Sequence, residues 1–542
     1  MRVLIFHGYL LRGTGSNIYN ASLAKALVDL GHEVHLLCQD RHAAELPFVD
    51  AVGTWEGGEL RVDARNEPVR CTVYLPDIGG VLPVYVADRY EGFDAQPFPD
   101  LDDEQIAAYV DANVAAVKEV DERANPEAAL ANHAVMGPAI LARAIGGHVP
   151  YAVKIHGSAL EYVVRPHRDR FLPFLREGLD RAGGVLVGSR HTAESLWEVV
   201  GDEGLPARTR LGPPGVDVHE FRPRPREEAA GRVRALADRL EGGAAAAWGG
   251  EAGAAEALRA LDPAAEPIVS YVGKLIVSKG VDLLLAAWPL VHVAVPAARL
   301  CIVGFGTYRE GLQRLAAALA EGDLDGALEV ARRGRELEGG AAGELTYLAT
   351  FLGGLRGGRR GAYLEAAATA FERVHWTGRL EHDDLAWLLP ACDAQVMPST
   401  FPEAFGMVAA EAASCGVLPL SAAHSGMAEV TRMLEPALPP TMKPLLSFAL
   451  GPRAVEEMAG KLVMWLTLPR DDRAKAAAAL ADLARQRFSW ERVAEGVLAA
   501  AQGRLSELLE PPPVDGDSEH AEGTGGAPSG TFGDEPSGRG SG

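Results

Sequence analysis

The opening of the chain constrains its fold more than any other feature. Val3 to Phe6 is a short unbroken apolar run, and a loop with Gly8, Gly13 and Gly15 follows it. Asn17 to Leu30 then has helical spacing at Ile18, Leu23, Leu27 and Leu30, with Gly31 as a stop. Val34 to Leu37 is a second apolar run. A strand apolar at every position is buried on both faces, as parallel strands covered by helices are. Strand, helix and strand in this order make a βαβ unit and predict a doubly wound α/β sheet.

One such sheet does not use up 542 residues. That length suits two domains of about 200 residues each. Further buried strands are expected at Ala128 to Asn132, Tyr151 to Ile155 and Val185 to Val187, and the breaker cluster Leu211 to Asp217 reads as a hinge. A second α/β half begins near Pro267, with a strand Ile268 to Val272, a helix Val281 to Leu290 and a strand Leu300 to Val303 before Gly304-Phe305-Gly306. Alternation resumes from Val374 to Leu420. The expected division is a first domain over 1–215, a hinge and helical linker over 216–266, and a second domain over 267–487. An Ala/Gly/Arg-rich insertion at about 317–370 carries no site signal. Phe488-Ser489-Trp490 opens a closing helix that ends near Leu509 and packs back on the first domain. The tail 511–542, rich in Gly, Pro, Ser and acid, lacks the apolar surface to offset ordering entropy and is expected to be disordered.

A formal net charge of −22 argues against nucleic acid as a partner and against a broad polybasic membrane surface, leaving at most weak peripheral contact. Any phosphate chemistry must therefore gather its cations at one place. The apolar start is too short for a signal-peptide core, and no run approaches the ~20 apolar residues of a spanning helix. Five scattered cysteines, an odd number, read as buried free thiols in a reducing cytoplasm. There is no H-E-x-x-H or C-x-x-C pattern, and neither a metal nor a cofactor is expected.

Two segments carry the strongest chemical signal. In the first, the strand Ala394 to Met397 leads through Pro398 and Pro402 into a helix starting near Phe405. Glu403 stands just before that helix and Glu411 lies eight residues on, roughly 12 Å away at 1.5 Å per residue. Unpaired amides at the helix start are a seat for phosphate, and the two carboxylates suit the hydroxyls of a sugar and of a ribose. In the second, Lys274 and Lys279 occupy the loop after Ile268 to Val272, at the strand edge where an open sheet binds a diphosphate. His156 ends the run Tyr151 to Ile155 and projects at the same kind of edge. The Gly8–Gly15 loop lacks a complete G-x-G-x-x-G; its glycines read as backbone that approaches a ligand closely.

Taken together these segments resemble the retaining GT-B glycosyltransferases of family 4, two Rossmann-like domains facing across a cleft. The resemblance runs in order through Gly31-His32-Glu33-Val34, Ile155-His156-Gly157, Gly188-Ser189, Gly215-Val216-Asp217, Val272-Gly273-Lys274-Leu275, Lys279-Gly280, Thr377-Gly378-Arg379-Leu380, the Glu403-x7-Glu411 segment and Phe488-Ser489-Trp490. It implies transfer of a hexose from a nucleotide-diphosphate sugar to the hydroxyl of a carbohydrate, lipid or small-molecule acceptor, with retention. It also implies roles. Glu411 holds the ribose, and Glu403 with the amides of Phe405, Gly406 and Met407 holds the donor sugar. Lys274 and Lys279 neutralise the diphosphate, Gly15 lets backbone approach the phosphates, His156 lines the reaction centre, and Leu380 beside Arg379 meets the base. His156, Lys279 and Glu403 are the catalytic candidates.

Two departures stand out: the family usually has arginine where Lys274 stands and proline where Ala404 stands. A nucleotide-sugar epimerase or hydrolase on the same architecture and an inactive sugar-nucleotide-binding protein stay open as alternatives. A nicotinamide dehydrogenase is disfavoured by the broken glycine fingerprint and by the early end of the second strand at Gln39-Asp40.

Overall fold

The computed structural model describes residues 1–12, 15–85, 93–241, 253–403 and 405–512. Gly13, Ala404, part of the linker and the tail from 513 lie outside the described residues.

Residues before Gly212 build a nine-stranded sheet in the order Thr209–Leu211, Gly184–Val187, Tyr151–Ile155, Ala128–Asn132, Arg2–Phe6, Glu33–Leu37, Cys71–Leu75, Ala51–Glu56 and Glu59–Ala64. Every pairing is parallel except the last, a hairpin turned by Gly57 and Gly58. The first strand, Arg2–Phe6, lies mid-sheet and alternates its apolar side chains between two cores. Val3 and Ile5 pack with Leu23 and Leu27 of the helix Gly15–Asp29, whereas Leu4 and Phe6 pack with Val110, Val117 and Ile140 on the opposite face. This two-sided burial is why the strand reads as a continuous apolar run.

Residues from Pro267 onward build a second, wholly parallel sheet ordered Val374–Gly378, Arg299–Val303, Ile268–Val272, Ala394–Met397, Leu418–Ala422 and Ser447–Phe448. Its core is one contiguous cluster that includes the fully buried Trp288 and Trp465. The insertion folds as the helices Leu324–Arg333, Thr346–Gly354 and Gly357–Ala370, which share this core through Leu348, Phe351 and Tyr363.

After the helix Arg470–Phe488, Ser489 caps the helix Trp490–Ala501 by accepting from the Arg492 N–H. That last helix ends at Ala501 rather than near Leu509. Val493, Ala494 and Val497 join the core beneath the first sheet, so the chain crosses back to the half where it began. All five cysteines are free and buried. Among the described residues no helix is long and apolar enough to cross a membrane.

Candidate active site

Both sheets end their strands toward one cavity of about 750 Å³. The first half lines it with Gly15, Tyr19, Tyr85, His133, Lys154 and His156, and the second with His382, Phe405, Met407 and Glu411. Ligands in open parallel sheets bind beyond the strand C-terminal ends for this reason: helix starts and loops converge there.

The helix of the Glu-x7-Glu segment spans Met407–Ser414, two residues later than expected at its start, with Gly406 as its N-cap and no side chain bonded to its first amides. Glu411 is buried at 5% exposure, and one of its oxygens accepts from His382 Nε2 at 2.9 Å. That bond holds the His382 imidazole above its ordinary pKa. Its ring also packs on Phe221, centroids 4.9 Å apart.

Glu403 is held by several groups at once. Lys279 Nζ ion-pairs with its carboxylate, and Ser399 Oγ donates to the same oxygen at 2.8 Å. Its own N–H donates to Ser425 Oγ at 2.9 Å, and its carbonyl accepts from Gly426 N–H. The lysine loop and the Glu403 loop interlock because glycines let backbone meet backbone. A Cβ on Gly280, at φ +64°, would stand 2.0 Å from the Pro398 carbonyl oxygen, and one on Gly304 would stand 1.9 Å from that of Gly273. The insertion also reaches this loop: Glu338 accepts the Val277 N–H at 2.7 Å, although nothing in its sequence marked it for the site.

Lys274, Lys279, Glu403, Arg379 and Leu380 are not among the residues that line the cavity. Lys274 is exposed, Arg379 pairs with Glu381 and lies over the Phe305 ring, and Leu380 is buried. Gly15, His156, Phe405, Met407 and Glu411 share the cavity wall, and Gly406 opens the helix behind them.

On the first-half side, a buried chain of amides and imidazoles fixes which way His156 presents its nitrogens. Asn132 Nδ2 donates to the Phe6 carbonyl and to Asn20 Oδ1, so Asn132 Oδ1 faces His156 Nε2 at 2.9 Å. A carbonyl only accepts, so Nε2 carries the proton and Nδ1 keeps a lone pair. The same logic runs onward. Asn20 Nδ2 donates to His7 Nδ1 at 3.0 Å, and His7 Nε2 donates to Leu10 O and Asn17 Oδ1. Burial pushes His7 down to about 4 and drives His156 well below its usual range, with His133, Lys154 and His7 adding to the His156 shift. Both rings are neutral near pH 7.

Sequence reasoning found His156 but none of Asn132, Asn20 or His7: Asn132 meets Phe6 and Asn20 from 126 and 112 residues away, and His7 and Asn20 stand in no motif that marks a site.

Two family models match the chain, one on each half. Residues 14–203 match the glycosyl transferase 4-like domain and residues 353–475 match the glycosyl transferases group 1. The chain belongs to the family 4-like glycosyltransferases. It is 28% identical over 301 residues to a D-inositol 3-phosphate glycosyltransferase of Segniliparus rotundus, covering 55% of this chain and 48% of the relative. It is 32% identical over 153 residues to a GDP-mannose-dependent alpha-(1-6)-phosphatidylinositol monomannoside mannosyltransferase of Mycolicibacterium smegmatis, covering 27% of this chain and 32% of that protein. The chain thus spans about half the length, or less, of these curated relatives. The N-terminal domain of a trehalose-6-phosphate phosphatase from Candida albicans superposes with a TM-score of 0.51 at 12% identity, covering 93% of this chain and 97% of that one. That likeness concerns the fold, the GT-B arrangement of two Rossmann-like halves.

Proposed function

We propose that the chain transfers a hexose from a nucleotide-diphosphate sugar to an acceptor hydroxyl, with retention of configuration. The observation that carries this reading is the shared cavity: Glu411 and Met407, the first residue of a helix without a side-chain cap, line it together with His156. Glu411 takes the ribose hydroxyls in charge-assisted bonds, as the resemblance assigns it. The amides at Phe405 to Met407, with Lys274 and Lys279, meet the diphosphate, so that its charge is balanced without a metal. Leaving-group stabilisation of this kind is the main demand of same-face transfer. The His156 Nδ1 lone pair receives the hydrogen bond of the attacking hydroxyl, and its neutral state near pH 7 keeps that lone pair available. The names of the curated relatives, which act on inositol phosphate and phosphatidylinositol mannosides, support a transferase over a hydrolase. A cytoplasmic location fits the reducing environment that five buried thiols favour.

Thermal shift across UDP-, GDP- and ADP-sugars, on wild type and on Glu411→Ala, tests the donor site. A ligand of the native state stabilises by RT ln(1 + [L]/Kd), so about tenfold excess over Kd is visible. A shift with one nucleotide that vanishes in Glu411→Ala is expected, and the product anomer read by NMR tests retention. Donor turnover without acceptor points instead to a hydrolase or epimerase.

A further inference from the structure

The first-half wall of the cavity has a composition that the donor reading does not use. Tyr9, Tyr85, His133, His156, Tyr19 and Trp490 form a nearly continuous arc of rings. Neighbouring centroids along it lie 5.0 Å (Tyr9–Tyr85), 4.5 Å (Tyr85–His133), 4.8 Å (His133–His156), 5.1 Å (Tyr19–His156) and 5.5 Å (Tyr19–Trp490) apart. Ile18 and Ile155 line the cavity beside them.

Charge is scarce on this wall. Among the described residues that line the cavity, the first half contributes one cation, Lys154, and no carboxylate. Lys154 is 2% exposed, and its ammonium is committed to the Gly212 carbonyl beneath the Tyr19 ring. Burial pushes its pKa down to about 7, so it is a poor counter-ion for an incoming phosphate. His133 adds a second observation. Its ring is buried, both ring nitrogens are without a hydrogen-bond partner, and its backbone sits at φ +70°. Unpaired polar groups and a left-handed non-glycine residue together are costly, and such sites cluster where ligands bind.

We propose that this wall is the acceptor subsite and that it takes an uncharged polyol with an apolar face, of sugar-ring size, rather than a phosphate-bearing acceptor. The inference rests on the transferase reading for the word acceptor, although its chemistry comes from the wall alone. A sugar ring lays its C–H face on the tyrosine rings and offers one hydroxyl to His156 Nδ1. A second hydroxyl is within the chemistry of His133, whose neutral ring has one N–H to give and one lone pair to receive. A phosphate on the same molecule would be stripped of water against aromatic rings, with no free cation among the described first-half residues of the wall to meet it.

The test is saturation-transfer NMR on the whole chain without donor, using methyl α-D-glucopyranoside, methyl α-D-mannopyranoside and glucose 6-phosphate as probes. Nucleotide thermal shifts are run on the same samples. Stronger transfer to a methyl glycoside than to the phosphate is expected. His133→Asn, which tolerates the left-handed backbone, and Tyr85→Leu are expected to weaken it at least tenfold, with the nucleotide shift unchanged. That unchanged shift also shows that the variants fold. Equal or stronger transfer to glucose 6-phosphate, no transfer to either glycoside, or variants that bind like wild type would overturn the proposal. A nucleotide shift without glycoside binding removes the acceptor subsite and leaves the donor site standing. Glycoside binding without any nucleotide shift removes the transferase reading and leaves the subsite.

Discussion

The carboxylate of Glu429, in the second half of the chain, accepts the backbone N–H of Arg190 in the first half, both of its oxygens lying 2.7 Å from that nitrogen. Arg190 is the first residue of the helix Arg190–Val200, whose N-cap Ser189 already accepts the Thr192 N–H. The two caps divide the free amides of one helix start between a local residue and one 239 positions away. Only the distant one ties the halves together.

Glu429→Ala should therefore differ in kind from Ser189→Ala. Losing a helix cap costs about 1 kcal/mol, and losing a charged acceptor about 1.5–3 kcal/mol. Both variants should unfold earlier in denaturant. Glu429→Ala alone should raise the radius of gyration in small-angle scattering, because the halves are freed to part about the Gly212–Asp217 segment. Equal scattering from the two variants would assign Glu429 a local role only.

The contact between His382 and Glu411 gives a pH dependence of defined sign. The Glu411 bond raises His382 in the folded chain, with Asp383 and Asp217 adding smaller attractions. A group whose folded pKa is raised contributes stability that is complete below the unfolded value of about 6.5 and is lost as pH climbs through the folded pKa. His382→Ala should flatten the stability profile above about pH 6.5 and cost under ~1 kcal/mol below it, since the imidazole is half open to solvent. Because ribose would need the same Glu411 oxygen, His382→Ala should also tighten nucleotide binding at pH 6 more than at pH 8. Titrations at the two pH values check this directly.

Much of the fold was legible from local pattern. Ala128–Asn132, Tyr151–Ile155, Ile268–Val272 and Ala394–Met397 have the bounds their sequence suggests, because strands buried on both faces are mostly apolar, each here holding one buried polar residue (Asn132, Lys154, Ser270 and Gln395). The hairpin Ala51–Glu56 with Glu59–Ala64 stayed hidden, since it sits at a sheet edge and mixes exposed charge with half-buried side chains. Glu403, Glu411 and Lys279 could be singled out as candidates because their spacing, along two loops and one helix, is itself the signal. His382, Glu338, Glu429 and Asn132 were not. Each gains its role from a partner far along the chain, and none stands in a pattern that short-range spacing can detect.

Gly280→Ala tests the interlocking of the Lys279 and Glu403 loops. The new methyl would meet the Pro398 carbonyl at 2.0 Å, at a φ of +64° that an L side chain rarely adopts. Strain of this type costs of order 1–3 kcal/mol before any steric shift is counted. The variant should lose about that much stability, and nucleotide-sugar binding should weaken further because Lys279 and Glu403 are displaced together. Glu338→Gln is the milder control, keeping an acceptor for the Val277 N–H. A Gly280→Ala chain that binds donor as wild type does would show that the loops position their charges independently.

Lys154 should govern stability in the alkaline range. Burial lowers its pKa to about 7, whereas in the unfolded chain it titrates near its ordinary value of about 10.4. Between those values the unfolded chain holds a proton that the folded chain has released. Stability from this group therefore rises with pH across the window from about 7 to 10. At lower pH the ammonium must be buried against the Tyr19 ring, with the Gly212 carbonyl as its hydrogen-bond partner. Lys154→Met keeps the length and removes the charge, so its stability should gain on wild type at pH 6 and the difference should shrink steadily toward pH 10. Parallel profiles for the two chains would mean that Lys154 stays protonated in the fold, with water or an acidic partner meeting its charge.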